Sequence, residues 1–226
     1  MDVGSAVAYI FEDKHWVSKL LPLMVVGILS LIPIFGLIAV AIGIGYMLLL
    51  ARNVRDGLPR PLPKWDAWQE YMRNGGHMLM AMIFYNLPTI LMAICSYTLI
   101  SGLASGFLGS SVTFVVFCCT APILLLYTAV AWGMLAIGVA EFLETDEWQR
   151  MFRITHLWDA LRSNSDTVVQ WGLYTALTNL GIALIGATVI GWIAVMLFAY
   201  PIQGHLFGQF AHRLSIKSKP HKTYRN

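Results

Sequence analysis

The longest uncharged part of the sequence runs from residue 74 to residue 140 and reads NGGHMLMAMIFYNLPTILMAICSYTLISGLASGFLGSSVTFVVFCCTAPILLLYTAVAWGMLAIGVA. None of its 67 residues is Asp, Glu, Lys or Arg. A membrane-spanning helix needs about 20 predominantly apolar residues, so the stretch predicts two long helices, at 77–101 and 112–140. The Gly- and Ser-rich residues 102–111 predict the turn between them. We therefore expect an all-α fold, a polytopic membrane helix bundle.

Two more stretches, 20–51 and 167–212, also lack charged residues. Glycines around 186–191 predict a break in the second, giving helices near 167–185 and 189–209. As one helix, the first would extend about 48 Å, well beyond a hydrocarbon core of about 30 Å. Residues 33–36, which include Pro33 and Gly36, therefore predict a hairpin with short arms. The bundle then has about six hydrophobic helices, and the hairpin either crosses the bilayer or is re-entrant.

The charges fall into four segments, 1–19, 52–73, 141–166 and 213–226, which hold all 15 Lys and Arg and all 12 Asp and Glu. With six helices these segments share one side of the membrane. Short loops rich in Lys and Arg stay cytoplasmic, so both termini are predicted to be cytoplasmic in a multi-pass protein of the cell membrane.

We expect a single integral membrane domain, 1–226, whose charged segments contain interfacial helices. Pro63 predicts the start of a short helix, and Thr145 predicts the N-cap of an amphipathic one with a stripe of Met151, Ile154, Trp158 and Leu161. The predicted order along the chain is an interfacial N-terminal segment (1–19), a short helical hairpin (20–51), a cytoplasmic loop (52–76), two long helices (77–140), a cytoplasmic amphipathic helix (141–166), a helix pair (167–212) and a basic cytoplasmic tail (213–226).

Composition excludes several functional classes. The chain is 58% hydrophobic and 12% charged, whereas soluble domains carry about 25% charged residues. Its net charge of +3 is too small to indicate nucleic-acid binding. The three cysteines have no metal-binding spacing, and no nucleotide loop, zinc motif or nucleophile elbow is present. We therefore expect no enzymatic activity, no catalytic residues, no cofactor and no metal site.

A few residues are nevertheless candidates for a functional site. His77, His205 and His212 are weak candidate cofactor ligands, although solvated or hydrogen-bonded histidines are commoner. Met78, Met80 and Met82 resemble a soft-metal cluster, but packing is the commoner role of Met. Polar residues and prolines in the apolar helices indicate a cavity or polar helix packing: Asn86, Pro88, Pro122, Tyr127, Asn179 and Gln203. The basic tail either anchors the chain or contacts anionic lipids through Arg213, Lys217, Lys219 and Lys222.

The order of short motifs along the chain resembles a known family. These motifs are Phe11-Glu12-Asp13, Gly45-Tyr46, Leu62-Pro63-Lys64-Trp65-Asp66, Gly75-Gly76, Leu87-Pro88, Val139-Ala140-Glu141-Phe142 and Asn164. They resemble a prokaryotic integral membrane family catalogued only as domain-of-unknown-function family 4013. The resemblance implies the membrane topology and a bacterial or archaeal origin, and it implies no catalytic residue.

Three functional hypotheses follow. The first is a non-enzymatic subunit or scaffold of a membrane complex, whose partners are membrane lipids and other integral membrane subunits packed laterally, with no nucleic acid. The alternative is a small transporter or lipid-handling protein with a cavity near the Pro88 and Pro122 breaks. The third, an enzyme acting on lipid, depends on the acidic and His residues available at the cytoplasmic face, which are Glu141, Glu144, His156 and Asp159.

Overall fold

Helices form every regular element in the described part of the chain. The computed structural model describes residues 1–103 and 107–218. The all-α prediction is confirmed. In chain order the elements are α1 (Val3–Glu12), α2 (Trp16–Leu29), α3 (Pro33–Arg55), α4 (Trp68–Leu103), α5 (Phe107–Thr145), a 3-10 helix (Trp148–Phe152), α6 (Ile154–Ser163), α7 (Ser165–Gly186) and α8 (Val189–Ser218).

Among the residues that the structure describes, four helices, α3, α4, α5 and α7, are long and apolar enough to cross a membrane. The six predicted hydrophobic helices are all present, but two of them, α2 and α8, are not among these four candidate spans. With 14 residues, α2 extends only about 21 Å at 1.5 Å per residue. The 30-residue α8 is long enough to cross a membrane and carries Gln203, His205 and Gln209 in its second half. The described residues therefore contain four candidate spans, the short α2 and the long α8.

The first apolar stretch forms the predicted hairpin, but the predicted position of its turn is wrong. The turn occupies residues 30–32, where the amides of Leu31 and Ile32 donate to the carbonyls of Ile28 and Leu29, both at 3.1 Å. Pro33 is the first residue of α3, a position whose amide has no helical partner to lose. The arms are consequently unequal, with 14 residues in α2 and 23 in α3.

Helix α3 lies at the centre of the bundle, where glycines bring helix backbones together. A Cβ atom on Gly75 of α4 would lie 1.7 Å from the carbonyl oxygen of Ala41, and one on Gly45 would lie 1.9 Å from that of Tyr71. On α8, Gly204 and Gly208 are four residues apart and approach the backbone of α3 in the same way. Small residues at this spacing allow close packing of membrane helices.

The two long helices extend further than predicted. Helix α4 begins at Trp68 and α5 ends at Thr145, so the loop predicted at 52–76 shrinks to 56–67. The turn predicted at 102–111 is helical in its described residues, and 104–106 lie outside them. No helix begins at Pro63. Instead, Trp65 stacks on Tyr46 at 5.1 Å and its Nε1 donates to the carbonyl of Lys19 at 2.6 Å.

The segment predicted as one amphipathic helix, 141–166, is divided into three pieces. Helix α5 continues to Thr145, and Asp146 then adopts a left-handed conformation with φ of 61° that ends it. The 3-10 helix and α6 follow, separated at Arg153. This break changes the predicted stripe, because Met151 and Leu157 are buried while Ile154 and Trp158 are exposed.

The charged segments contact one another. Arg52 at the end of α3 donates to Asp146 Oδ1 at 2.6 Å. Lys19 Nζ donates to Asp13 Oδ2 at 2.6 Å and to the carbonyl of Leu62 at 3.0 Å. These contacts bring the ends of α1, α3 and α5 to one end of the bundle, called the charged end below.

Candidate functional site

The main candidate site is a cavity of about 410 Å³ between five helices, called the inner cavity below. Each of α3, α4, α5, α7 and α8 contributes at least one residue to its wall. The lining residues are Met47, Met78, Met82, Trp132, Leu135, Ala136, Trp171, Thr175, Asn179, Gln203 and Phe207. Volumes of about 300–1,000 Å³ and mostly apolar walls are typical of small-molecule sites.

The inner cavity is open between α5 and α7. The two helices meet at the charged end, where Gly133 leaves room for Val168 and for Leu161 of α6. Trp132 of α5, which lines the cavity, is exposed. Asn179, which lines the cavity, is also exposed. A ligand can therefore reach the cavity sideways, from the medium that surrounds the helices.

Two polar features interrupt the apolar wall. Gln203 Nε2 donates to Asn179 Oδ1 at 2.9 Å, so two residues predicted from sequence do meet. Thr175 lies one turn from Asn179, and its Oγ1 is buried without a hydrogen-bond partner. A buried hydroxyl without a partner costs about 1–3 kcal/mol. These groups offer hydrogen bonds to a polar atom of a bound molecule.

The methionines of the apolar wall come from two helices. Met47 of α3 joins Met78 and Met82 of α4, whereas Met80 points elsewhere and is 54% exposed. Met78 and Met82 therefore share one face of α4, and Met80 lies on another. Methionine is flexible and adapts to irregular shapes, which suits a wall that accommodates apolar ligands.

The prolines do not line the inner cavity. A second cavity of about 370 Å³ lies beyond them, between the distal halves of α4 and α5, and Ser96, Thr113 and Thr120 belong to its wall. Pro88 and Pro122 line neither of these two cavities, and a cavity near these prolines stays a prediction.

Asn86 and Tyr127, the other two predicted polar residues, make hydrogen bonds to helix backbone. Asn86 Nδ2 donates to the Met82 carbonyl of its own helix at 2.8 Å. Tyr127 Oη donates from α5 to the Tyr85 carbonyl of α4 at 2.9 Å. Asn86 therefore acts within α4, whereas Tyr127 joins the two long helices.

The three histidines proposed as ligands pack against other side chains or backbone. His77 stacks on Trp148 at 5.1 Å, and His205 stacks on Tyr9 at 4.4 Å and contacts Gln209 at 3.1 Å. His212 Nδ1 lies 2.9 Å from the carbonyl oxygen of Arg55. None of the three lines the inner cavity.

The basic tail is described only in part. Arg213 Nη1 donates to Gln170 Oε1 at 2.7 Å, which joins α8 to α7. The side chain of Lys217 and all of Lys219 and Lys222 lie outside the described residues. The predicted contact with anionic lipids stays a prediction.

Sequence reasoning missed most of the cavity wall. Asn179 and Gln203 were predicted because they are polar within apolar helices. Met47, Trp132, Ala136, Trp171 and Phe207 have no such signal, since apolar residues face lipid, core and cavity alike. The spacing of four residues, as between Trp132 and Ala136 or between Gln203 and Phe207, indicates a shared face but not what that face contacts.

Comparison with protein families gives one result. A family model described as a protein of unknown function (DUF4013) matches residues 28–199, from the end of α2 into α8. Searches of curated proteins and of solved structures give no significant match. Because the family model covers more than half of the chain, the protein belongs to the DUF4013 family of proteins of unknown function.

Proposed function

We propose that this protein is a lipid-handling membrane protein that holds a lipid or another apolar molecule in its inner cavity and carries out no chemistry on it. The observation that carries the proposal is the inner cavity itself, which opens between α5 and α7. A membrane solvates both helices with lipid, so lipid is the most abundant ligand at this opening. The polar groups of Asn179, Gln203 and Thr175 give the site one place for a ligand oxygen or nitrogen.

Blocking the cavity tests whether it binds lipid. Ala136→Phe adds a ring within the wall, and Ala129→Phe adds the same ring at an exposed position of the same helix. We expect Ala136→Phe to lower the phospholipid retained by the detergent-purified protein about tenfold, since the added ring and a bound lipid would occupy the same space and overpacking costs about 1–3 kcal/mol. Native mass spectrometry measures the retained lipid, and Ala129→Phe is expected to behave like the unaltered protein. Equal retention by both variants would refute the proposal.

A matched pair of asparagine variants tests whether the protein also moves the bound molecule. Asn179→Leu removes a polar group from the cavity, whereas Asn86→Leu removes one that donates to the Met82 carbonyl of its own helix. We expect Asn179→Leu to abolish transfer of a fluorescent phospholipid between vesicles that contain the protein. Transfer rates that match between the two variants would argue against a transfer function.

We propose a subunit or scaffold role as the second candidate function. It is supported by the distal halves of α4 and α5, beyond Pro88 and Pro122, where no described residue of 88–120 is buried. Large apolar side chains project there, including Tyr97, Phe114 and Phe117, with 73%, 69% and 67% of their surface exposed. Purification in mild detergent should then yield a complex with another membrane protein. A lone monomer with no copurifying partner would exclude this role.

We infer that the protein resides in the cell membrane with both termini cytoplasmic. This orientation is supported by the positive-inside rule and by the mutual contacts of the charged segments. A green fluorescent protein fused to the C-terminus should fluoresce, and alkaline phosphatase fused there should be inactive. The opposite pair of results would reverse the orientation.

A further inference from the structure

The wall of the inner cavity carries no charge. Among the described residues, its lining contains no Asp, Glu, Lys, Arg or His. Arg213 donates to Gln170, and Gln170 lies nine residues before Asn179, or about 14 Å along α7. A phosphate inside the cavity would therefore lose water without gaining a counter-charge, which is costly. A phospholipid fits this cavity with an acyl chain, whereas an uncharged ligand can place its head group inside.

One part of the wall offers hydrogen-bond donors. Gln203 Nε2 donates to Asn179 Oδ1 at 2.9 Å, and in the described part of the chain Asn179 Nδ2 has no partner of its own. Thr175 lies one turn before Asn179, and its buried Oγ1 also lacks a partner. Residues four positions apart lie on one face of a helix, so both groups belong to the cavity face of α7. Oxygen acceptors on a ligand would satisfy them.

The rest of the wall suits a flat ring. Trp132 and Trp171 line the cavity from α5 and α7. Trp171 is held in place by Phe207 and Phe210, whose ring centroids lie 5.8 Å and 5.1 Å from its own. Three methionines also line the cavity: Met47, Met78 and Met82. Because aromatic side chains and thioethers both make favourable contacts with rings, this wall favours a ring over a saturated chain.

The size of the inner cavity limits how much of a lipid it holds. Its volume of about 410 Å³ is near the lower end of the range for small-molecule sites, about 300–1,000 Å³. It therefore holds a head group and a short part of a chain. Trp132 and Asn179 are exposed at the opening between α5 and α7, so the remaining chain can stay among the membrane lipids.

We propose that the inner cavity binds the head group of a quinone-class lipid, which is an uncharged flat ring with carbonyl oxygens and an apolar tail. The carbonyl oxygens accept hydrogen bonds from Asn179 Nδ2 and Thr175 Oγ1. The ring packs among Trp132, Trp171 and the methionines, and the tail leaves through the opening between α5 and α7. This inference rests on the proposed lipid-handling function and adds the class of head group.

Competition between matched ligands tests the head group. The detergent-purified protein is titrated with decylubiquinone, whose ring quenches tryptophan fluorescence, and quenching that remains in Ala136→Phe is subtracted as background. Decylbenzene carries the same chain on a ring without carbonyl oxygens. We expect it to displace decylubiquinone about 25-fold less well, the scale of two neutral hydrogen bonds. Equal displacement by decylbenzene would overturn the inference.

Two further competitors test the absence of charge and the presence of a ring. Dioctanoyl phosphatidylglycerol carries a phosphate, and dioctanoylglycerol is uncharged but has no ring. We expect both to displace decylubiquinone only weakly. Displacement by the first at the affinity of decylubiquinone would overturn the uncharged head group, and displacement by the second would assign the site to a glycerolipid and overturn the ring.

A pair of threonine variants tests the buried donor. Thr175→Val removes the hydroxyl, and we expect it to weaken decylubiquinone binding about fivefold, the scale of one neutral hydrogen bond. Thr178→Val is the matched control, because Thr178 Oγ1 donates to the Tyr174 carbonyl at 2.7 Å and does not line the cavity. Thr175→Val should not lower thermal stability, since its hydroxyl has no partner in the fold. Weaker binding accompanied by lower stability would assign the hydroxyl to the fold and overturn its role in binding.

An asparagine variant keeps the test decisive if Thr175→Val fails to fold. Asn179 is exposed, so Asn179→Leu should fold, and we expect it to weaken decylubiquinone binding about fivefold as well. Asn86→Leu is the control, because Asn86 bonds its own helix. Binding that neither Thr175→Val nor Asn179→Leu weakens would overturn the inference.

The outcomes also separate this inference from the proposed function. If the unaltered protein binds no decylubiquinone but retains phospholipid that Ala136→Phe loses, the inner cavity binds lipid and only the head-group assignment fails. If neither ligand binds to the unaltered protein, both fail.

Discussion

Two helix interfaces of this bundle contrast sharply. Helices α3 and α4 approach so closely at Gly45 and Gly75 that their backbones leave no room for a Cβ atom. Helices α5 and α7 meet at Gly133 near the charged end and then leave an opening lined by Trp132 and Trp171. All four helices are apolar and long enough to span a membrane. Residue size at the interface, rather than hydrophobicity, therefore determines which pair closes and which pair holds a cavity.

The largest loss of stability is expected from adding a methyl group where α3 and α4 are in contact. Gly75→Ala places a methyl group where the Ala41 carbonyl oxygen lies, so the helices must separate. We expect a loss of about 3 kcal/mol of unfolding free energy, the upper part of the overpacking range. The adjacent Gly76→Ala is the control, because nothing lies within 4 Å of its added atom. Unfolding by sodium dodecyl sulfate in mixed micelles measures both, and equal stabilities would contradict the close contact.

The second-largest loss of stability is expected at the ion pair that joins α1 and α2 to the loop at residues 56–67, which follows α3. Asp13 is buried and pairs with Lys19, whose ammonium also bonds the Leu62 carbonyl. Asp13→Asn leaves that ammonium without its counter-charge, and we expect a loss of about 2 kcal/mol, below the 3–5 kcal/mol of a fully removed partner. Unfolding in mixed micelles measures the loss. Glu12→Gln, at an exposed neighbouring position, should change stability little, and the contact would be unimportant if both variants behaved alike.

The same ion pair predicts a dependence on pH. Burial raises the pKa of Asp13, but hydrogen bonds from Lys19 and the His15 amide outweigh it and hold the pKa below its ordinary value. A lowered carboxyl pKa stabilises the fold above the unfolded value near 4, and this contribution disappears as the pH falls through the folded value. The unaltered protein should therefore lose stability below about pH 4 relative to its value at pH 7. Asp13→Asn should show a shallower decline, and parallel pH profiles would contradict this assignment.

A smaller effect is expected between the two longest helices. Tyr127→Phe removes the hydrogen bond from α5 to the Tyr85 carbonyl and should cost about 1 kcal/mol. Tyr97→Phe is the matched control, since 73% of the Tyr97 surface is exposed. Thermal unfolding in detergent measures the difference. If both variants lose the same stability, the Tyr127 bond contributes nothing.

The smallest effect on stability is expected at the open interface. Ala136→Phe projects into the inner cavity, where space already exists, so its cost should stay below about 1 kcal/mol, the lower limit of ordinary overpacking. Thermal unfolding should then place this variant close to the unaltered protein although its lipid binding is lost. A destabilisation comparable to that of Gly75→Ala would mean that α5 and α7 pack as tightly as α3 and α4.

The sequence predicts the apolar helices well, but it predicts the turns and breaks between helices less well. Uncharged stretches located all six apolar helices, because the cost of burying charge in lipid leaves a long and clear signal. Residues 30–32 were missed as a turn because Pro33 suits a helix start as well as a break. The helix predicted from Thr145 is divided because the backbone of Asp146 adopts the left-handed conformation, which the sequence around it does not predict.

The site was only partly predictable. Asn179 and Gln203 stood out as polar residues in apolar helices, and their contact confirms that polar groups in such helices find partners. Asn86 stood out equally but bonds its own helix. Glu141 and His156 are 15 positions apart in sequence, and only the fold of α6 against α5 brings them within 2.9 Å.

The long uncharged stretches are enough to predict a helical membrane bundle with its charges in four segments, since a lipid solvent imposes long uncharged helices on any sequence that crosses it. Which helices touch and which enclose a cavity is visible only once the chain is folded. That outcome depends on individual glycines and large side chains meeting across the bundle. Such contacts join residues far apart in the chain, so local sequence carries no record of them.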